Sequence, residues 1–121
     1  MKWCYLIFFM IFTSCYVSER DCNSFKTGNF VSEIEINNRI YKSTFKRQNN
    51  IQVEIFDGKI DSFSVRWIND CEMIFSSLNP KNQKDKKIHI KILNTKNNSY
   101  QYEYGYVGES KKKKGKAKCL N

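Results

Sequence analysis

The stretch "IQVEIFDGKIDSFSVRWI", residues 51–68, decides the fold. Its two halves alternate apolar and polar residues, and side chains that alternate in this way point to opposite faces of a β-strand. Phe63 and Trp67 therefore share one face. Asp57 and Gly58 separate the halves, and this pair is a strong hairpin signal because its tight turn needs positive φ. The stretch predicts two antiparallel strands joined by that turn.

The same period-two pattern recurs along the chain, interrupted by clusters of Asn, Asp, Gly and Lys. The predicted strands are 29–36, 39–47, 51–56, 60–68, 71–78, 87–93 and 99–107, with an eighth over 115–120. A turn is predicted at 94–98. No window has the i, i+3, i+4 spacing of a helix. The pattern favours an all-β antiparallel meander that closes into a small barrel, with a β-sandwich as the alternative.

The amino-terminal end of the chain has a different character. Lys2 is followed by an apolar block at 3–12 and then by Thr13 and Ser14, which is the order of charged, apolar and small residues in a secretory signal. The block is too short to cross a hydrocarbon core of about 30 Å as a helix. We therefore expect residues 1–14 to be a signal peptide that is removed.

Cys15 follows this apolar run. The order Phe12-Thr13-Ser14-Cys15 resembles a bacterial lipobox, in which a small residue precedes a cysteine that receives a lipid. The alternative is plain secretion with an unmodified Cys15. The expected organisation is a signal peptide at 1–14, a lipidated tether at 15–24 and a single β domain at 25–121. Such a protein would be anchored to a membrane of the cell envelope, in the periplasm or at the outer membrane.

The positive charge of the chain is concentrated in one segment. The formal net charge is +9, from 21 Lys and Arg against 12 Asp and Glu. Without Lys2 and the lysines of residues 111–118, about +2 remains, so the basic character is expected to lie outside any folded face. The candidates for contact with an anionic surface are Lys111, Lys112, Lys113 and Lys114. The alternative is a solvated, self-repelling segment.

The cysteines bear on the same question of export. Cys4 leaves with the signal peptide, so Cys22, Cys71 and Cys119 remain beside Cys15. In an oxidising compartment two of these can pair, and positions beside strand ends favour Cys22 with Cys71. Free thiols are the alternative. No pair has the C-x-x-C spacing of a zinc site, and we expect neither a metal nor a cofactor.

A stripe of tyrosines, "YQYEYGY" at 100–106, alternates strictly and so lies on one side of a single strand. Inside a barrel these rings would fill the core or line a cavity for a small apolar ligand. Facing outward they would bind a protein partner or stack on nucleic-acid bases. The residues predicted for a ligand pocket are Phe63, Trp67, Tyr100, Tyr102 and Tyr104.

Signatures of catalysis are missing from the sequence. The single histidine, His89, is flanked by isoleucines on a predicted strand and is expected on the surface. The glycines form neither a dinucleotide-binding fingerprint nor a phosphate-binding loop, and no nucleophile elbow or metalloprotease motif occurs. We therefore expect a protein without enzymatic chemistry.

Four segments carry a resemblance to a known family: "DCNSFKTGNF" (21–30), "SVRWINDCEMIF" (64–75), "LNPKN" (78–82) and "YQYEYGYVGESKKKKGKA" (100–117). They resemble small bacterial lipoproteins of unknown function whose strand pattern is lipocalin-like. The resemblance implies a small barrel, a disulfide between Cys22 and Cys71, and no catalytic residue. Some members carry the name DNA topoisomerase IV, but this chain has no D-x-D cluster and no phosphate loop.

These features together predict an exported, lipid-anchored barrel with a binding or envelope role. Its expected partners are a membrane, a small apolar ligand or another envelope protein. The alternative is a nucleic-acid-associated protein that uses the lysine run and the tyrosine stripe. Export makes nucleic acid an unexpected partner.

Overall fold

The computed structural model describes residues 20–79, 81 and 86–120. Eight strands account for most of them: β1 (Gly28–Ile36), β2 (Arg39–Gln48), β3 (Ile51–Phe56), β4 (Lys59–Asn69), β5 (Glu72–Ser77), β6 (Ile88–Lys96), β7 (Ser99–Tyr106) and β8 (Lys113–Cys119). A 3-10 turn, Asn23–Phe25, precedes β1. The predicted signal peptide and Cys15 lie outside the described residues.

The strands form a closed barrel in which each strand pairs with the next in the sequence and β8 pairs with β1. All pairings are antiparallel. The predicted up-and-down barrel is therefore confirmed, and the sandwich alternative is wrong. Closure removes the unpaired edges that an open sheet of this kind would expose.

Asparagine and aspartate form the tight turns of this meander. Asn37 and Asn38 have φ of 51° and 63°, and Asp57 and Gly58 have φ of 51° and 75°. Two consecutive positive φ angles define the turn type whose twist matches that of the flanking strands. These residue types tolerate that region better than others, which is why the sequence locates the hairpins correctly.

The turn predicted at 94–98 is present but shorter, at 97–98, because β6 continues to Lys96. The register shifts between Ile92 and Asn94, so Leu93 is an extra residue opposite β7. Such a bulge lets a strand change its alternation and continue through polar residues. The Asn94 side chain also donates to Gln101 Oε1 on β7 at 3.0 Å.

The lysine-rich segment belongs largely to the barrel. Strand β8 begins at Lys113 and hydrogen-bonds to both β7 and β1. The expectation that these lysines lie outside a folded face is therefore wrong. A lysine-rich strand can belong to the barrel because Gly115 and Ala117 are small and take inward positions, while Lys114, Lys116 and Lys118 alternate with them and are exposed.

The two ends of the barrel are built differently. One end, called here the closed end, consists of residues 20–27 and the turns at 49–50, 70–71 and 97–98. The other, called the open end, consists of the turns at 37–38 and 57–58, the loop that connects β7 to β8 and the described residues between β5 and β6. Phe25 of the 3-10 turn is inserted at the closed end, where its ring centroid lies 5.0 Å from that of Tyr100.

A disulfide between Cys22 and Cys71 fixes the 3-10 turn to the turn between β4 and β5, which confirms the favoured pairing. Residues 20–24, predicted as part of a tether, are folded onto the barrel. Arg20 donates to the Ile92 carbonyl oxygen at 3.0 Å, and the Asp21 amide donates to Thr95 Oγ1 at 2.9 Å. The described chain thus enters the fold at the closed end.

No helix within residues 20–79, 81 and 86–120 has the length and apolar character needed to cross a membrane.

Candidate functional site

The barrel encloses a cavity of about 210 Å³. Its apolar walls are formed by Ile34, Phe45, Phe63, Phe75, Ile88 and Ile90. Its polar lining comes from Ser32, Ser43, Arg47, Gln52, Glu54, Tyr100, Tyr102 and Tyr104. Because the tyrosines also present their rings, most of the lining surface is apolar and carries a few polar groups, as in small-molecule sites.

Access to this cavity is from the open end. Phe56 and Tyr106 occupy the last inward-facing positions of β3 and β7, yet 42 % and 48 % of their surfaces are exposed. At the closed end, by contrast, Phe25 and Arg47 are each only 2 % exposed. The barrel therefore resembles a cup, with its floor at the closed end and its mouth at the open end.

The predicted pocket residues fall into two groups. Phe63, Tyr100, Tyr102 and Tyr104 line the cavity. Trp67 does not, and packs instead at the closed end, where Lys26 Nζ lies 5.1 Å from its ring centroid. The prediction that Trp67 lines the pocket is wrong. Alternation shows that Trp67 faces the inside of the barrel, but it does not show how far along the barrel axis the side chain lies.

The floor of the cavity is formed by Arg47, which the sequence analysis missed. Its Nε donates to Gln52 Oε1 at 3.0 Å, one terminal nitrogen donates to the Phe25 carbonyl oxygen at 2.6 Å, and the other donates to the Tyr100 hydroxyl at 3.2 Å. The sequence does indicate an inward position for Arg47, because it follows Phe45 at the two-residue spacing of inward-facing strand residues.

Aromatic rings surround the Arg47 guanidinium. Its central carbon lies 5.3 Å from the ring centroids of both Phe30 and Phe45, and 5.7 Å from that of Trp67. Rings at this distance attract a cation through their quadrupoles. All three hydrogen-bond acceptors of Arg47 are neutral, and no carboxylate of the described residues forms an ion pair with it.

Glu54 is the acidic side chain of the cavity, one inward position closer to the mouth than Gln52. Burial raises the pKa of the Glu54 carboxyl, because the charged form loses its hydration. A hydrogen bond with Ser43 opposes this rise, and the nearby charge of Asp61 adds to it. The carboxyl is therefore easier to protonate than an exposed glutamate.

The tyrosine stripe faces into the barrel, so the outward-facing interpretations are wrong for Tyr100 and Tyr102. The Tyr102 hydroxyl shares a hydrogen bond of 2.6 Å with Ser32 Oγ, and burial raises the pKa of its phenol. Its ring lies directly over Gly115, where an added Cβ would be 2.5 Å from the ring. Tyr102 thus reaches from β7 across β8 to β1 and braces the strand that closes the barrel.

The lysines form part of the mouth. Lys111, Lys112 and Lys113 line a second cavity of about 400 Å³, which shares Ile88 and Tyr104 with the barrel interior. Lys114 instead lines an outer groove beside Gly115 and Lys116.

Gly105 allows the lysine loop to approach β7 closely. A Cβ at this position would lie 2.6 Å from the Lys111 carbonyl oxygen. The loop also carries Glu109, which forms an ion pair with Lys86 of the neighbouring loop. A cationic rim therefore stands beside the entrance.

The remaining titratable groups do not converge on the cavity. His89 lies on the outward side of β6, with Nε2 3.2 Å from Glu72 Oε1. A hydrogen bond from Asn69 is the main cause that lowers the pKa of Glu72. Within the described part of the chain, no three His, Cys, Asp or Glu side chains are grouped closely enough to hold a metal ion.

Comparison with models of protein families, with curated proteins and with solved structures finds no match for this chain. Function is therefore inferred from the barrel itself.

Proposed function

We propose that the protein is an exported, lipid-anchored, non-enzymatic binding protein whose barrel holds a small and mainly apolar ligand. The observation that carries this proposal is the cavity of about 210 Å³, which is open at one end and lined by aromatic and aliphatic side chains. An eight-stranded barrel has an interior just wide enough for such a ligand.

The volume limits the size of the ligand. Drug-sized ligands occupy pockets of about 300–1,000 Å³, so this cavity takes something smaller. One aromatic ring with a short side chain, or a short alkyl chain with a polar end, has suitable dimensions.

The polar groups of the cavity favour binding over catalysis. Ser32 is bonded to Tyr102, and Arg47 to Gln52 and Tyr100, so these side chains hold one another in place. Nucleophilic catalysis requires a nucleophile beside a general base, most often a histidine. The cavity lining contains neither a histidine nor a cysteine among the described residues.

Several features support export and anchoring. Residues 1–14 resemble a signal peptide, and Cys15 follows them in a lipobox-like sequence. The disulfide between Cys22 and Cys71 is typical of an oxidising compartment. Arg20 lies at the closed end, and the five residues after Cys15 reach at most about 18 Å when extended. A lipid on Cys15 would therefore hold the closed end near the membrane and leave the mouth accessible.

The nucleic-acid alternative has weaker support. It needs tyrosines on an outer surface for base stacking, whereas Tyr100 and Tyr102 are buried in the barrel. The lysines alone would give only salt-sensitive, sequence-independent attraction to phosphates.

Filling the cavity tests the proposal. The mature wild-type protein should bind the neutral probe 3-phenylpropanamide, measured by amide chemical-shift changes in NMR. Ser43→Phe places a ring in the cavity and should abolish binding, since Ser43 lines it. Thr44→Phe is the matched control because Thr44 is the next residue of β2 and is exposed on the outer face. Equal loss or equal retention of binding in both variants would overturn the proposal.

A further inference from the structure

We propose that the ligand is a small carboxylate with an apolar body, and that its carboxylate group contacts Arg47 at the floor of the cavity. This inference rests on the proposed function and adds the chemical class of the ligand. The observation behind it is a buried arginine that lines the cavity and whose guanidinium makes no ion pair with any carboxylate of the described residues.

The guanidinium keeps donors for such a ligand. Of the five N–H groups of an arginine, three are used in the hydrogen bonds to Gln52, Phe25 and Tyr100. One N–H on each terminal nitrogen is left over by these bonds. Two N–H groups on the terminal nitrogens are the fork with which arginine binds both oxygens of a carboxylate.

The surroundings of Arg47 make an anion a better occupant than a neutral molecule. A buried cation without a counterion has lost its hydration at a substantial cost. The rings of Phe30, Phe45 and Trp67 offset part of this cost, and the neutral acceptors offset a further part. A ligand carboxylate would supply the missing negative charge, while the aromatic walls would accept its apolar body.

Charged side chains at the mouth and in the cavity affect how easily an anionic ligand enters. Lys111, Lys112 and Lys113 stand at the rim and attract an anion toward the entrance. Glu54 on β3 is the acidic side chain of the cavity and would repel an anion when charged. Asp61 lies directly opposite Glu54 on the neighbouring strand β4. Burial raises the pKa of the Glu54 carboxyl, so its repulsion of an anionic ligand should weaken as the pH falls.

The test compares two probes of nearly equal shape on the wild-type mature protein at neutral pH. 3-Phenylpropanoate carries a carboxylate, and 3-phenylpropanamide carries an uncharged amide in its place. We expect the carboxylate to bind about tenfold or more tightly, because charge-assisted hydrogen bonds are stronger than those to a neutral amide. The side-chain Nε–H resonance of Arg47 should shift with the carboxylate only.

Two variants locate the effect. Arg47→Met should reduce the affinity for the carboxylate to that for the amide. Arg66→Met is the matched control, since Arg66 lies exposed on the outer face of β4, and it should preserve the preference. If Arg47→Met does not fold, the comparison of the two probes on the wild-type protein and the Arg47 resonance decide the question.

The outcomes separate this inference from the proposed function. Equal affinities for the two probes would overturn the assignment of a carboxylate ligand while leaving a binding barrel. A carboxylate preference that persists in Arg47→Met would overturn the role of Arg47. Failure of both probes to bind would overturn this inference and the proposed function together.

Discussion

The strands alternate in the same way at the closed and open ends of this barrel, but inward-facing side chains are buried at the closed end and partly exposed at the open end. At the closed end, Phe25 and Arg47 are buried beneath a 3-10 turn that a disulfide holds in place. At the open end, Phe56 and Tyr106 occupy inward positions and remain half exposed. Alternation therefore selects the inside of the barrel, while the segments outside the strands decide whether each end is covered.

The largest expected difference between the two ends comes from truncating an aromatic ring at each. Phe25→Ala should lower the free energy of unfolding by about 3–5 kcal/mol, because it empties a packed and buried site. Phe56→Ala should cost less than about 1 kcal/mol, since much of its ring is already in water. Chemical denaturation of both variants measures the difference. Similar losses would show that the two ends are equally packed.

Removing the disulfide should have the next largest effect. The double variant Cys22→Ala and Cys71→Ala should lose about 2–4 kcal/mol of stability, as is typical for a native cross-link. Amide hydrogen exchange should rise most in residues 20–27, which the disulfide holds against the floor. As a control, a reducing agent should destabilise the wild-type protein to a similar level and leave the double variant unchanged. Exchange that rises equally at the mouth would contradict a floor-specific role.

The smallest expected effect is the pH dependence caused by Glu54. Its pKa is raised in the folded state, so the folded protein holds this proton more tightly than the unfolded chain does. The contribution of Glu54 to stability should therefore be fully present when the carboxyl is protonated in both states, and it should be lost as the pH rises through the folded-state pKa. Glu54→Gln should remove this fall, as measured by the denaturation midpoint across a pH series. Glu35→Gln, on the outer face of β1, should leave it in place.

The fold was largely predictable because its turns depend on local chemistry. Asn37, Asn38, Asp57 and Gly58 adopt the positive φ angles that their residue types tolerate, so the hairpins could be located from the sequence. The limits of β6 could not, because a bulge at Leu93 carries the strand through residues that are typical of turns.

The closing strand was predicted incompletely for a different reason. The lysines of β8 have low strand propensity, and their place in the sheet depends on pairing with β7 and β1. The pairing with β1 joins the first and last strands, and no local sequence pattern indicates it. The feature of the sequence that fits this pairing is the pair of small residues, Gly115 and Ala117, at inward positions of β8.

The candidate site was predictable in its walls but not in its floor. Alternation correctly places Phe63 and the tyrosines inside the barrel. It does not show that Trp67 lies below the cavity, or that Arg47 faces inward with neutral partners. A buried arginine depends on contacts that come from Phe25 and Tyr100, which are distant in the sequence.

The position of a bound probe tests the central claim most directly. Intermolecular nuclear Overhauser effects should connect the ring protons of 3-phenylpropanamide to Phe63, Ile90 and Tyr104, which line the cavity between floor and mouth. Contacts to these inward side chains, with none to the outer face of β3, are the result we predict. Contacts confined to the exposed Ile51, Val53 and Ile55 on that outer face would contradict a ligand-holding barrel.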